Sequence, residues 1–398
     1  MSRPRSRLLV VALVLTGLSM RTAVTSIGAV LDDLQRDLHA SGTVAGVITA
    51  LPVVCFAGIG VLTPQLARAV GTHRLLVCSL VLATAGAAAR PIGSSALLFI
   101  VLSVLALTGG AISNVLLPIL VKEHFPDRIG AMTGLYVTAL ATGATAGAGL
   151  TVPVGNAGGS WRIGLGAWAV LSVLAIVPWL PALRTDRTGA DPTEPHAPLR
   201  LLLRSRTAWA LAVFFAGQSI QAYIAFGWFA RFFTAHGVSS GTAGAMVALF
   251  AAIGIPVSLF SPRVPVRRQR LVILAMCGCN AVDYAWLGYA PVAGGWVWMV
   301  LVALGGGTFP IALALIGMRA RTGAMTAALS AFVQSIGYIV AGIGPLLFGA
   351  LYDATGSWAL PLGVLFGALV ATALTAWPST ADRYVDDELA GRPAKLPA

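Results

Sequence analysis

Long apolar runs constrain this chain more than any other feature. A stretch of about 20 predominantly apolar residues is the length of a helix that crosses a bilayer's hydrocarbon. Twelve such stretches follow one another, at approximately 8–31, 43–67, 75–89, 95–121, 129–154, 161–180, 208–233, 241–261, 271–290, 294–318, 324–351 and 358–377, with Gly, Pro and charged breaks between them. The third and fourth are parted only by Arg90-Pro91-Ile92-Gly93. Hydrophobic residues are 57% of the chain and charged residues 10%. Soluble domains carry roughly 25% charged residues, so this sequence has too little polar side chain to coat a water-facing surface. Alternating segments of barrel length are absent. The expected fold class is an all-α membrane protein with twelve transmembrane helices.

The net charge of +12 invites a nucleic-acid reading until the charges are placed. With an even number of spans both termini share a side. Setting the side of Arg3, Arg5 and Arg7 as cytoplasmic gathers 21 of the 26 Lys and Arg residues there, leaves four opposite, and puts one inside a span. That is the positive-inside bias, so the basicity is a topology signal needing no nucleic acid. A multi-pass plasma (inner) membrane protein with both termini cytoplasmic is expected. The first outer loop, Asp32-Asp33-Leu34-Gln35-Arg36-Asp37, is acidic. An Arg-rich start before an apolar run also resembles a signal peptide, but this run contains Arg21 and outlasts signal-peptide length. Cys55, Cys78, Cys277 and Cys279 all fall within spans and read as small apolar packing residues. The Cys277-Gly278-Cys279 spacing fits no standard zinc pattern.

Between the sixth and seventh spans, 181–206 is rich in Pro and Arg and reads as a cytoplasmic linker. The sequence echoes across it. Gly130-Ala131-Met132-Thr133 matches Gly323-Ala324-Met325-Thr326, Gly159-Ser160-Trp161 matches Gly356-Ser357-Trp358, and Leu107, Gly109 and Gly110 match Leu304, Gly306 and Gly307. Gly17, Ser19 and Arg21 correspond to Gly217, Ser219 and Gln221. Four ordered matches at equivalent span positions point to duplication. The expected organisation is a six-helix bundle over 1–181, a linker over 182–206, a second bundle over 207–378 and a cytoplasmic tail over 379–398. Two parallel six-span halves are the arrangement of major facilitator transporters.

Three stretches make the likeness more specific: Arg21-Thr22-Ala23-Val24-Thr25-Ser26-Ile27-Gly28, Asn114-Val115-Leu116-Leu117-Pro118 and Gly130-Ala131-Met132-Thr133-Gly134-Leu135-Tyr136. With them the chain resembles the cyanate/nitroimidazole permease family of the major facilitator superfamily. The resemblance implies a transporter carrying cyanate-like anions or small aromatic amides and azoles; no cofactor is expected, and nothing in the sequence implies dimerisation, so a monomer is expected. The superfamily's loop between spans two and three usually reads Gly-x-x-x-Asp-Arg-x-Gly-Arg. Here Leu66-Ala67-Arg68-Ala69-Val70-Gly71 puts Arg68 at the Asp position, so a gating role for that carboxylate does not carry over.

Arg21 stands about 13 residues into the first span, or ~20 Å at 1.5 Å per residue. An Arg at a helix centre costs about 2.5–3.5 kcal/mol on insertion scales. Its guanidinium keeps its charge and needs acceptors. Asp283 is the one acid clearly within a span, and the ninth helix is a peripheral support in this superfamily. The counter-ion is then either a substrate anion arriving from water, or carbonyl and hydroxyl groups that make Arg21 a structural tie. Gly17, Arg21, Thr25 and Gly28 follow helical spacing along one face, which suits a water-filled path. In the second half Gln218, Gln221 and Trp228 share a face of the seventh span, with Gln221 at the repeat position of Arg21. Ser330, Gln334 and Tyr338 line the eleventh, and Thr138, Thr142 and Thr145 the fifth. These groups either hydrogen-bond a solute or join helices to one another. Asn114, four residues before Pro118, either lines the path or satisfies backbone freed by that proline. The candidate substrate-binding set is Arg21, Thr25, Asn114, Tyr136, Gln218, Gln221, Gln334 and Tyr338.

A secondary transporter of a small, negative or strongly polarised solute fits these features best. A multidrug exporter is the alternative within the class, disfavoured because the buried charge is positive. A membrane-embedded enzyme lacks a catalytic cluster: His39, His73, His124, His196 and His236 fall in loops or at their edges, and neither a metal-ligand motif nor Gly-x-Ser-x-Gly is present. A channel or transporter-like sensor has no filter-like motif or large output domain in its favour. No phosphate-binding glycine loop suggests ATP drive.

Overall fold

The computed structural model describes residues 3–40, 42–185 and 199–390. These hold twelve helices long and apolar enough to cross a membrane: α1 Arg7–Ala29, α2 Leu51–Val70, α3 Thr72–Ile92, α4 Ala96–His124, α5 Pro126–Gly158, α6 Trp161–Leu183, α7 Arg206–Ala235, α8 Thr242–Arg263, α9 Val266–Tyr289, α10 Gly295–Met318, α11 Gly323–Thr355 and α12 Ala359–Thr380. Each of the twelve apolar stretches carries one. Their lipid-side faces keep large apolar side chains such as Val54, Leu97, Leu346 and Leu374 exposed, as hydrocarbon allows and water would not.

Departures from the sequence reading have local causes. The acidic outer segment is not an open loop but a short helix, Leu31–Asp37. Val30, Leu34 and Leu38 recur at helical spacing and bury against Ile27, Phe99 and Leu165, while Asp33 and Asp37 stay partly or fully exposed. The break between α3 and α4 is a 3-10 turn, Arg90–Ile92, after which Ser95 caps α4 by accepting from the Leu98 amide at 3.3 Å. α10 is two pieces, Gly295–Gly305 and Thr308–Met318, interrupted within its glycine run.

The chain forms two compact units. One comprises Met1–Asp127 with Leu135–His196, the other Arg128–Gly134 with Ala197–Ala398. In the first, α3 packs on α4, and α1 and α3 both pack on α6. In the second, α7 packs on α11 and α12, α9 on α12, and α8 on α10. The first turn of α5 belongs to the second unit, because a Cβ on Gly130 would stand 2.1 Å from the Pro262 carbonyl oxygen and only glycine permits that approach.

The expected linker contains residues 186–198, which lie outside the described residues, followed by the short helix Leu199–Leu202. The expected tail is in part a folded element. The helix Val385–Leu389 returns to the second unit: the Val385 amide donates to the Arg319 carbonyl at 2.9 Å, and Glu388 accepts from the Ser205 and Thr207 hydroxyls, each at 2.6 Å. Glu388 thereby sits at the start of α7, where a helix N-terminus favours negative charge.

Candidate functional site

In the first unit Arg21 is half-buried on α1, with its guanidinium carbon 6.0 Å from the centre of the Phe56 ring of α2. Phe56 in turn reaches toward Gly110 of α4, where a Cβ would lie 4.0 Å from the ring's tip. Asn114, buried, is one turn beyond Gly110 on that helix face. The Thr25 hydroxyl donates to the Arg21 carbonyl at 3.0 Å. α5 lies close along the same helix, since Cβ atoms on Gly143 and Gly147 would stand 2.2 Å from the Leu18 carbonyl oxygen and 2.4 Å from Thr25 Oγ1. Tyr136 is buried on α5, its carbonyl facing Gly17. α2 thus meets Arg21 directly, α4 meets the same Phe56 ring, and α5 runs along α1 on either side of Arg21. Of the threonine stripe, Thr142 and Thr145 bond back to the carbonyls of Thr138 and Ala141 on their own helix.

In the second unit Gln218 donates from Nε2 to the Phe215 carbonyl at 3.0 Å and the Ser219 hydroxyl at 2.6 Å. The Phe215 ring meets the buried Tyr338 ring of α11 edge-on at 5.2 Å. Gln334, one turn earlier on α11, donates to the Ser330 hydroxyl at 2.7 Å. Gln218, Gln334 and Tyr338 therefore belong to one buried α7–α11 seam.

Gln221, which the sequence leaves between bonding a solute and joining helices, has interhelical partners. Its Nε2 donates to the Gly217 carbonyl (3.1 Å) and Thr372 Oγ1 (3.2 Å), and its Oε1 accepts from Asn280 Nδ2 (2.9 Å) and the Tyr284 hydroxyl (3.0 Å). Both donors and both acceptor positions of this amide are in use. It ties α7 to α9 and α12.

Two charged groups acquire meaning only in three dimensions. Arg90, read from sequence as a span break, is fully buried. It donates from Nη1 to the Ala23 carbonyl at 2.8 Å and from Nη2 to Ser26 Oγ at 3.1 Å, while Nε has no hydrogen-bond partner among the described residues. Its signal was an arginine between two apolar runs with almost no loop to keep it in water. Asp283 is also fully buried, and neither of its oxygens has a hydrogen-bond partner among the described residues.

A twelve-helix membrane protein with a cation inside a spanning helix and polar seams within each bundle has the features of a solute carrier. The Major Facilitator Superfamily model matches residues 10–345, and the chain belongs to that superfamily. It is a secondary transporter of small solutes, not an enzyme. It is 32% identical over 386 residues to the uncharacterized transporter YycB of Bacillus subtilis, covering 95% of this chain and 94% of that one. It is 32% identical over 362 residues to the 2-nitroimidazole transporter of Escherichia coli (89% and 90% covered). It is 28% identical over 371 residues to the cyanate transport protein CynX of Escherichia coli (92% and 96%). Among solved structures, the proton:xylose symporter XylE superposes with a TM-score of 0.74 at 13% identity, covering 95% of this chain and 96% of that one, a likeness of fold alone.

Proposed function

We propose that this transporter carries a small anionic or strongly polarised solute, a cyanate-like anion or a small azole or amide, and that Arg21 is its principal contact. The observation that carries the reading is Arg21 itself: a permanent cation deep in a spanning helix, half-buried, with its guanidinium carbon 6.0 Å from the Phe56 ring of α2. The names of two relatives, a 2-nitroimidazole transporter and a cyanate transport protein, agree with a compact solute of this chemistry. Thr25, Asn114 and Tyr136 are the supporting first-unit candidates. Gln218, Gln334 and Tyr338 are the candidates in the second unit. Gln221 is assigned to holding α7 against its neighbours. The positive-inside bias supports cytoplasmic termini, and the reading is completed by a monomer in the plasma membrane with 1–181 and 207–378 as the two repeats.

Uptake and efflux of radiolabelled cyanate and 2-nitroimidazole in proteoliposomes test this. Arg21→Ala loses most transport at unchanged protein yield. Arg21→Lys keeps part, since an ammonium supplies charge without the planar fork. Arg21→Ala transporting at the wild-type rate overturns the assignment.

A further inference from the structure

Two histidines 51 positions apart come together where α3 begins and α4 ends. His73 Nε2 lies 2.8 Å from His124 Nε2, with the rings 5.0 Å apart. Glu123 completes the group, and one ligand atom from each of the three residues lies within 4.8 Å of the others. His73 is 3% exposed. Its ring leans on that of Trp179 at 6.1 Å, and Trp179 is itself fixed by donating to Thr16 Oγ1 at 3.0 Å. His124 is half-buried and Glu123 exposed, so the cluster opens to solvent on one side.

We propose that His73, His124 and Glu123 form a divalent transition-metal site of the zinc class, on the side of the membrane that holds the amino terminus. Two imidazoles and a carboxylate are an established zinc donor set, which leaves a fourth position for water. Imidazole nitrogen selects zinc, cobalt, nickel or copper over magnesium and calcium, which favour oxygen. At a Zn–N distance near 2.0–2.1 Å, two tetrahedral ligands sit about 3.3 Å apart, so the imidazole pair has to open by only about 0.5 Å to admit the ion. Arg74 and Lys122 adjoin the ligands in sequence, and Glu123 supplies negative charge to offset them. Neighbouring helices hold the buried ligand in place before any metal arrives. The bound ion joins the start of α3 to the end of α4.

The test uses the full-length protein in detergent, purified without a polyhistidine tag. Zinc chloride is titrated against a competing indicator, and Co2+ is added separately to read its visible ligand-field bands. The expected result is one ion per chain, tetrahedral cobalt bands and a zinc-dependent rise in unfolding temperature. His124→Ala and His73→Ala each weaken binding by at least about tenfold. Glu123→Gln, a near-isosteric change at an exposed position, also weakens zinc and alters the cobalt bands. Wild-type protein binding no more zinc than a His73→Ala/His124→Ala double variant overturns the site. Unchanged affinity and spectrum in Glu123→Gln overturns the three-ligand assignment.

Discussion

Gln221 satisfies two buried donors at once, Asn280 and Tyr284, and spends its own two on Gly217 and Thr372. Gln221→Leu keeps much of the volume but strands the Asn280 amide and the Tyr284 hydroxyl away from water. Interhelical hydrogen bonds in membranes average about 0.6 kcal/mol, and a stranded buried donor costs about 1–3 kcal/mol. The variant is expected to lose about 1–3 kcal/mol of stability, read as a fall in unfolding temperature in detergent. Asp283, one residue before Tyr284, responds with the opposite sign. Its oxygens have no partners to strand, and a buried charge is costly unless paired. Asp283→Leu therefore leaves stability unchanged or raises it in the same assay. Sequence did not distinguish these two side chains. α7 is the reason on one side: two-thirds of its most apolar window (67%) is buried, so core surrounds the helix and periodicity cannot say which neighbour a polar residue addresses.

At the level of elements, the apolar runs located the helices because hydrocarbon demands length and apolarity and little else. They did not reveal where a helix yields to its neighbour. The Gly305-Gly306-Gly307 run is such a place: a Cβ on Gly305 would fall 1.9 Å from Asn280 Oδ1. Gly305→Ala is expected to push Asn280 off Gln221 and to cost about 1–3 kcal/mol, the usual penalty of overpacking. Gly278, on α9 with nothing within 4 Å of the added carbon, is the control, and Gly278→Ala gains up to about 1 kcal/mol from helix propensity. Outer segments are joined differently. Arg162 donates to Asp37 Oδ2 from Nη2 at 2.8 Å and from Nε at 3.2 Å, and from Nη1 to the carbonyls of Pro91 and Gly93. Hydrogen bonding from Arg162 holds the Asp37 carboxyl below the usual carboxylate range, against the opposing pull of desolvation. A lowered folded value means the contribution is complete above the unfolded carboxylate range and disappears as pH falls through the lowered value. Both partners are partly exposed, so the pair is worth about 0.2–1 kcal/mol. Asp37→Asn should lower the unfolding temperature slightly at neutral pH and leave the wild-type difference absent in strong acid.

Across the whole molecule, charge decides which way the helices enter the bilayer, and the structure sharpens what a count of basic residues implied. Four basic residues were assigned to the outer side, Arg36, Arg90, Arg162 and Arg231. Arg36 pairs with Asp33 and Arg162 with Asp37. Arg90 is buried, and Arg231 lies over the rings of Trp228 and Tyr352 at 5.2 and 5.5 Å. None of the four stands as a lone cation at that surface. Each basic residue near an anionic leaflet is worth about 1 kcal/mol, and the side that holds the amino terminus carries 21 of the 26. The amino-terminal side is therefore expected to face the cytoplasm in every molecule. In a variant with the four native cysteines replaced, a cysteine at Gly237 or Ser357, both in turns on the opposite side, reacts with a membrane-impermeant maleimide in intact cells. A cysteine at Arg200 reacts only after the cells are opened. The reverse pattern would show that the buried and paired arginines, not the exposed ones, had been setting the orientation.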